Sequence, residues 1–531
     1  MTPKIKNQKS KIKNALLLFL VLITMSCTKW LDGALPKDKN LADKQFSTER
    51  GIHSALNGLY SALTSSSLYG GRMTITDVEL LAHYYFYEDY NLPGMGGYEN
   101  FQRMINYNYT NDGVRGRFTD IWSKAYKTIF EINNFIVSLS ESTVLSEDRK
   151  DVLLGEAYGL RAFLHFDMLR LFGGEFLTEG ENGEYHQAPV IPYNNSAEVI
   201  PHKRLTWDEF IKLLVEDIET AETKLKEDPI LTIGIKDKRA EGAAEASSTD
   251  IFEKYLRNYR MNYWAVQALK VRVLMFTGKV EEAAKLAADI IDKSMRVSKT
   301  FKWANRFDVL KPNDRNYIFY EEVIFGITNP DLYTRWRNYT TGTSYGSTYA
   351  VHYNNLQGNI FKNDPSSSSD ISLWEDVRAR QWILSAVGPL QYVSSKFEKY
   401  NYTENNPKEF FQPLMRISEM YYIIAEYYIR TGNIPSAITI LNGIRSTRGA
   451  QSESLPDPGS ITREQAFDIL ETEYYKEFYA EGQTWFFLKR LWNIEDTLGR
   501  QIFNVAVGGK KDNLPASALF PPLPESELST F

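Results

Sequence analysis

Thr277-Gly278-Lys279-Val280-Glu281-Glu282-Ala283 returns later in the chain as Thr431-Gly432-Asn433-Ile434-Pro435-Ser436-Ala437. In both copies a long apolar-periodic stretch stops at Thr-Gly, and a second starts that places Ala five residues after the Gly. Glycine just past a helix end takes the turn that a side chain resists. A small residue early in the next helix lets two antiparallel helices approach closely. Each copy therefore predicts a helical hairpin: 255–277 with 280–293, and 413–430 with 434–445. A hairpin built twice in one chain points to stacked units that bury a shared core.

Working outward, the same period predicts helices over 47–63, 114–138, 148–171, 206–226 and 462–492. Thr206-Trp207-Asp208-Glu209 reads as a capping box. The helix over 148–171 is apolar on nearly every side, so it is expected at the centre, with Gly173-Gly174 as its stop. Residues 228–250 are small, polar and charged and read as a solvated loop. Residues 300–400 lose the helical period and are rich in Tyr, Trp, Asn, Gly and Ser, with a strand expected over 320–327. The fold class is mainly α: tetratricopeptide-like helical hairpins, with an irregular loop-rich segment of few short strands packed on them. The expected organisation is a leader over 1–26 and a single body over 27–531. That body divides into an N-terminal part at 28–227, the loop at 228–250, and a C-terminal part at 251–531 containing the irregular segment.

The 531 residues include 33 Tyr, 29 Phe, 10 Trp and a single Cys. One cysteine excludes an intramolecular disulfide and a cysteine-based metal site. A net charge of −6 gives no general reason to bind nucleic acid. Five lysines between Lys4 and Lys13 precede the apolar run Ala15–Ile23, which is too short for a bilayer but right for an export signal. Thr24-Met25-Ser26-Cys27 then resembles a lipoprotein signal, with Thr24 where Leu is commonest. It implies that Cys27 is acylated and holds the chain on a membrane through its N-terminal lipid. Loss of the five lysines would take the net charge from −6 to −11.

Several ordered segments resemble the SusD/RagB family of lipid-anchored nutrient-uptake proteins of the outer membrane. They include Cys27-Thr28-Lys29-Trp30-Leu31-Asp32; Ala55-Leu56-Asn57-Gly58-Leu59-Tyr60; and Glu156 through Asp167 with Leu171-Phe172-Gly173-Gly174. Arg416-Ile417-Ser418-Glu419, Asn442 through Gly449, Glu473, Glu477, Glu481-Gly482 and Leu519 through Glu527 continue the series. The chain departs from the family at Tyr474 and Gln483, where Arg is usual, and at Phe487, where Asp is usual; this implies altered C-terminal packing. The resemblance implies a surface-facing lipoprotein without catalytic activity. Its partner would be a SusC-like TonB-dependent β-barrel transporter. Helical repeats would face that partner and irregular segments would carry the ligand.

No catalytic or metal constellation stands out. The six histidines form no H-E-x-x-H, and no phosphate-binding loop or nucleophile elbow is present. His165 lies in an apolar helix and reads as core. Arg416 with Glu419, and Glu473 with Glu477, sit on structural helices. No cofactor is expected. The aromatic excess is the remaining signal, because sugar rings stack on flat aromatic faces while hydroxyls seek polar tips. Two regions offer the mixture. The first supplies Tyr84, Tyr87, Tyr90 and Tyr98. The second supplies Trp303, Trp336, Asn338, Tyr339, Tyr345 and Trp374, with Tyr333 between them. An oligosaccharide is the expected ligand. A peptide ligand on the same architecture, a pure protein scaffold and a surface hydrolase are the alternatives.

Overall fold

The computed structural model describes residues 44–85, 96–173, 189–236, 251–311, 315–341, 349–361, 375–384, 391–399, 408–450, 455, 457–492 and 519–528. Apart from shorter helices and Gly96–Ile105, its helices are α1 (Glu49–Leu63), α2 (Asp112–Glu141), α3 (Glu147–Phe172), α4 (Trp207–Lys224), α5 (Tyr263–Phe276), α6 (Val280–Ile291), α7 (Leu332–Thr341), α8 (Ile417–Arg430), α9 (Ile434–Thr447), α10 (Arg463–Glu477) and α11 (Gln483–Trp492). Helix α2 packs on α3, α3 on α4, α4 on α5, α5 on α6, α6 on α8, α8 on α9 and α9 on α10. This unbroken succession is the stacked-hairpin architecture, and the fold is mainly α. Among the described residues no helix is long and apolar enough to cross a membrane.

The two Thr-Gly turns are built alike. Gly278 and Gly432 take φ of +77° and +79°. Thr277 and Thr431 each donate their hydroxyl to the carbonyl four residues back, Val273 and Tyr427, at 3.0 Å. Lys279 N–H reaches Leu274 O at 2.9 Å and Asn433 N–H reaches Tyr428 O at 2.8 Å. Ala283 and Ala437 are both fully buried. Helix α3 is central, as its all-round apolar sequence predicts, and nearly every residue from Val152 onward is buried. Thr206 and Glu209 form the capping box of α4.

Four expectations are corrected. The first predicted hairpin starts late: a 3-10 turn spans Arg257–Tyr259, and Asn262 caps α5 by accepting from Ala265 N–H at 3.0 Å. Residues 413–416 are not helical. They belong to β7 (Phe411–Arg416), which pairs antiparallel with β3 (Val323–Thr328), Val323 opposite Arg416 and Thr328 opposite Phe411. The predicted helix over 462–492 is two helices, α10 and α11. Ala480 (φ +59°) and Gly482 (φ +72°) turn the chain between them. A Cβ on Gly482 would lie 2.0 Å from Met73 O. The segment after Asp228 is not solvated at its start: Asp228 and Ile230 are fully buried. Asp228 accepts from Arg257 at 2.8 and 2.9 Å.

The remaining strands are short: β1 (Pro189–Pro192) with β2 (Arg204–Thr206), and a three-stranded sheet in which β6 (Gln391–Ser394) lies between β4 (Val351–His352) and β5 (Trp382–Leu384). Where β3, β7, α9 and α10 meet, charge is turned inward. Arg416 donates to Glu477 (2.6 Å) and Glu481 (2.8 Å), Arg448 to Glu322 and Glu477 (2.6 Å each), and Arg378 to Asp376 (2.7 Å) and Glu473 (2.8 Å). All eight side chains are buried. Burial would raise the Glu477 carboxyl, but Arg448, Arg416 and Arg378 outweigh it and hold it well below the usual carboxylate range. Arg416 and Glu419 do not pair with each other; Glu419 instead binds Arg272 at 2.6 Å. At two of the positions where the chain departs from the family, the rings of Tyr474 and Phe487 stack at 3.7 Å, 6° from parallel.

Candidate ligand-binding site

The first aromatic region follows a short helix at Asp77–Leu81. His83 takes φ +58°, which swings the chain so that Tyr84 and Tyr85 enter the body on different paths. Tyr84 goes fully inward. Its hydroxyl donates to Tyr475 O at 2.8 Å and lies 2.9 Å from Thr484 Oγ1, and its ring meets those of Tyr475 and Tyr479. It is a core residue, and the expectation that it contacts ligand is corrected. Burial pushes its hydroxyl pKa well up, so it stays protonated.

The second region includes α7. Helical spacing puts Trp336 and Thr340 on the inner face and Tyr333, Asn338 and Tyr339 on the others. Trp336 is fully buried, donates Nε1–H to Ser394 O at 3.2 Å and meets Phe397 edge-on at 5.1 Å. It too is core rather than a ligand contact. Asn338 is exposed, and Tyr333 and Tyr339 are half-buried. Trp303 is half-buried but stands apart from α7, its ring 5.0 Å from Tyr421 and 5.3 Å from the Arg448 guanidinium.

The two regions meet. Tyr349 packs edge-on against Tyr85 at 5.1 Å, Phe101 at 4.7 Å and Tyr339 at 5.4 Å. Tyr349 N–H donates to Tyr339 O at 2.8 Å, and the Asn355 amide donates to His83 O (3.3 Å) and Tyr84 O (3.1 Å). Tyr85 and Tyr349 are buried at the root of this junction, while Phe101 and Tyr339 are half-buried. Burial raises the hydroxyl pKa of Tyr339 and Tyr349, so both remain neutral hydrogen-bonding groups. Beside the N-terminal end of α7 a small cleft, with a cavity volume of about 20 Å³, is lined by Tyr333, Phe397, Phe410, Arg315, Lys399 and Glu409, among others. Tyr87, Tyr90, Tyr345, Trp374 and Cys27 lie outside the described residues, and Tyr98 is described only as part of the helix Gly96–Ile105.

The sequence reading missed Tyr85, Phe101, Tyr349, Phe397 and Phe410. Tyr85 and Tyr349 lie inside the two aromatic regions, so the signal was present. Phe397 and Phe410 lie in short runs that no period marks.

Other clusters are structural. His165 is core, as expected: Nδ1 faces Arg161 O (2.9 Å), Nε2 accepts from Asn194 N–H (3.0 Å), and the ring stacks on Tyr193 at 3.8 Å. Glu49, His53 and Glu253 lie close enough to surround an ion, but the Arg149 guanidinium already hydrogen-bonds both carboxylates.

With this geometry in hand, the relatives are informative. The profile of the SusD family matches residues 328–518, and a related profile, described as starch-binding associating with outer membrane, matches residues 29–247. The chain is similar to the SusD-like protein P38 of Formosa agariphila, with 23% identity over 92% of this chain and 93% of that one. In structure it is similar to a SusD superfamily protein from Bacteroides thetaiotaomicron (TM-score 0.62, 19% identity, 91% of this chain and 98% of that one). It is also similar to a SusD-like carbohydrate binding protein from Bacteroides vulgatus (TM-score 0.56, 17% identity, 84% of each chain). The chain belongs to the SusD family.

Proposed function

We propose that the protein binds oligosaccharides at the outer membrane, without catalysing their cleavage, and passes them to a SusC-like TonB-dependent transporter. It would be anchored through a lipid on Cys27, after removal of residues 1–26, and face outward. The observation that carries the ligand reading is the convergence of Tyr85, Phe101, Tyr339 and Tyr349 from two distant aromatic regions. Tyr87, Tyr90, Tyr98 and Tyr345 belong to the same two regions, and Asn338 is the neighbour of Tyr339. The faces of half-buried rings can stack against sugar C–H groups, and protonated hydroxyls and amides answer sugar hydroxyls. Two further features support the reading: a profile described as starch-binding matches the N-terminal part, and a structural neighbour is a SusD-like carbohydrate binding protein. Affinity for a single site of this kind is expected near a Kd of ~1 mM, about −4 kcal/mol, which tethering beside a transporter would compensate.

Isothermal titration against panels of glycans and of peptides tests the reading. Saturable glycan binding is expected. Saturable binding of peptides alone would move the ligand class to peptides, and product release from a polymer would overturn the non-catalytic reading. For anchoring, Cys27→Ala is expected to release the protein from membranes.

A further inference from the structure

A cleft of about 200 Å³ opens where α1, the turn Arg257–Tyr259 and the end of β3 meet, against about 20 Å³ beside α7. It shares no lining residue with the aromatic junction. Asn57, Tyr60 and Ser61 are spaced three and four apart, so one face of α1 supplies one wall. The turn brings in Tyr259 and Arg260, and β3 ends there at Thr328.

The floor is largely aromatic and firmly held. Tyr60, Tyr259 and Arg260 are buried. The Tyr60 hydroxyl donates to Glu156 at 2.7 Å and accepts from Met261 N–H at 2.9 Å. The Tyr259 ring centroid lies 4.2 Å from that of Phe411 and 5.3 Å from that of Phe252. The Arg260 guanidinium sits 4.3 Å from the Tyr60 ring and 4.8 Å from the Phe252 ring, and it donates to Asn57 Oδ1. The rim is polar and open: Asn57, Ser61 and Thr328 are exposed. It offers one amide and two hydroxyls, each able to donate and to accept.

Room, surface and charge each narrow what fits. The volume equals that of roughly six or seven waters in the liquid. Water lying on the rings of the floor finds few polar partners, so releasing it favours a ligand with an apolar face. A wholly apolar ligand would strip water from the rim without replacing its hydrogen bonds. Arg257 and Arg260 stand against Glu156 and Asp228, two for two, so no charge calls for a counter-ion. We infer that this cleft binds one neutral sugar ring, a pyranose, with its C–H face on the floor and its hydroxyls on Asn57, Ser61 and Thr328. Such a ring would be held whether or not the junction at Tyr339 and Tyr349 takes glycan.

The full chain in deuterated detergent is titrated with glucose, galactose, mannose and xylose, and saturation transfer to the sugar ring protons is read by NMR. Saturable transfer to at least one of these sugars is expected, and it should persist in Tyr339→Ala. Ser61→Trp and Thr328→Trp, each at an exposed rim position, put an indole into the cleft and should abolish it; if one of them does not fold, the other decides. Absence of saturable transfer to all of these sugars would overturn the inference, as would transfer that survives in either folded rim variant. Transfer lost in Tyr339→Ala would place the sugar at the junction instead, overturning this cleft while sustaining the junction. Transfer lost only in the rim variants sustains the cleft even if no longer glycan binds the protein.

Discussion

The helical frame and the irregular segment spend polar groups in opposite ways. At the heart of the frame, Arg378, Arg416 and Arg448 meet Glu322, Glu473, Glu477 and Glu481 in a buried network with short, mostly doubled contacts. Around α7 and the sheet behind it, rings meet at edge-on angles, and Phe101 and Tyr339 are only half-buried. Replacing a fully paired ion network with apolar groups can be neutral, but removing one member strands another. Such a network therefore fixes a geometry. Edge-on rings tolerate small movements and still offer faces, which suits ligand capture. The difference teaches that abundant buried charge in this chain marks architecture, and it is the half-buried tyrosines on which the proposed site rests.

The largest effect should come from breaking the frame. Arg448→Met leaves Glu322 without its closest cation and removes one from Glu477. It is expected to cost about 3–5 kcal/mol, read as a lower denaturant midpoint. A loss below about 1 kcal/mol would erase the contrast with the aromatic side.

Acid should separate the two regions by pH. Burial pushes His83, beside the aromatic junction, down to about 4, while its unfolded value is near 6.5. As pH falls from 6.5 towards 4 the unfolded chain takes up the proton first, so stability is full above 6.5 and declines through that window. The decline attributable to His83 is up to roughly 3 kcal/mol, seen as a falling Tm that His83→Gln flattens. In the frame, burial opposes ionisation of Glu473, but Arg378, Lys476 and Arg445 prevail and hold it at about 2. Its folded value lies below its unfolded one, so its contribution is intact above about 4.5 and is lost only below that.

Smaller and more exacting is the repeat inside the frame. A Cβ on Gly278 or Gly432 would meet no atom within 4 Å, so only the positive φ opposes a side chain. Gly278→Ala and Gly432→Ala should each cost about 1–2 kcal/mol, equal within a few tenths by thermal unfolding. Unequal losses would mean that the two turns are not the same structural unit.

The frame was legible because its signals are local. Thr-Gly turns, the Thr206–Glu209 box and the apolar period of α3 each act within a few residues. What the sequence concealed depends on distant partners. Residues 413–416 become a strand because β3 lies alongside, and the break at 478–482 accommodates the close approach of Met73 to Gly482. For the site, composition located the right regions but could not say which rings face inward. Trp336 and Tyr84 are buried because Ser394, Tyr475 and Thr484 wait for their polar atoms. Tyr85 and Tyr349, within the same regions, root the junction instead.

The most direct test of the account is the affinity of Tyr339→Ala for an oligosaccharide that the wild-type chain binds, measured by isothermal titration. Loss of one stacking ring should weaken binding by roughly 0.5–1.5 kcal/mol, about two- to twelvefold, while the denaturant midpoint moves little. Unchanged affinity in a folded Tyr339→Ala protein would contradict the claim that the aromatic junction is where the ligand is held.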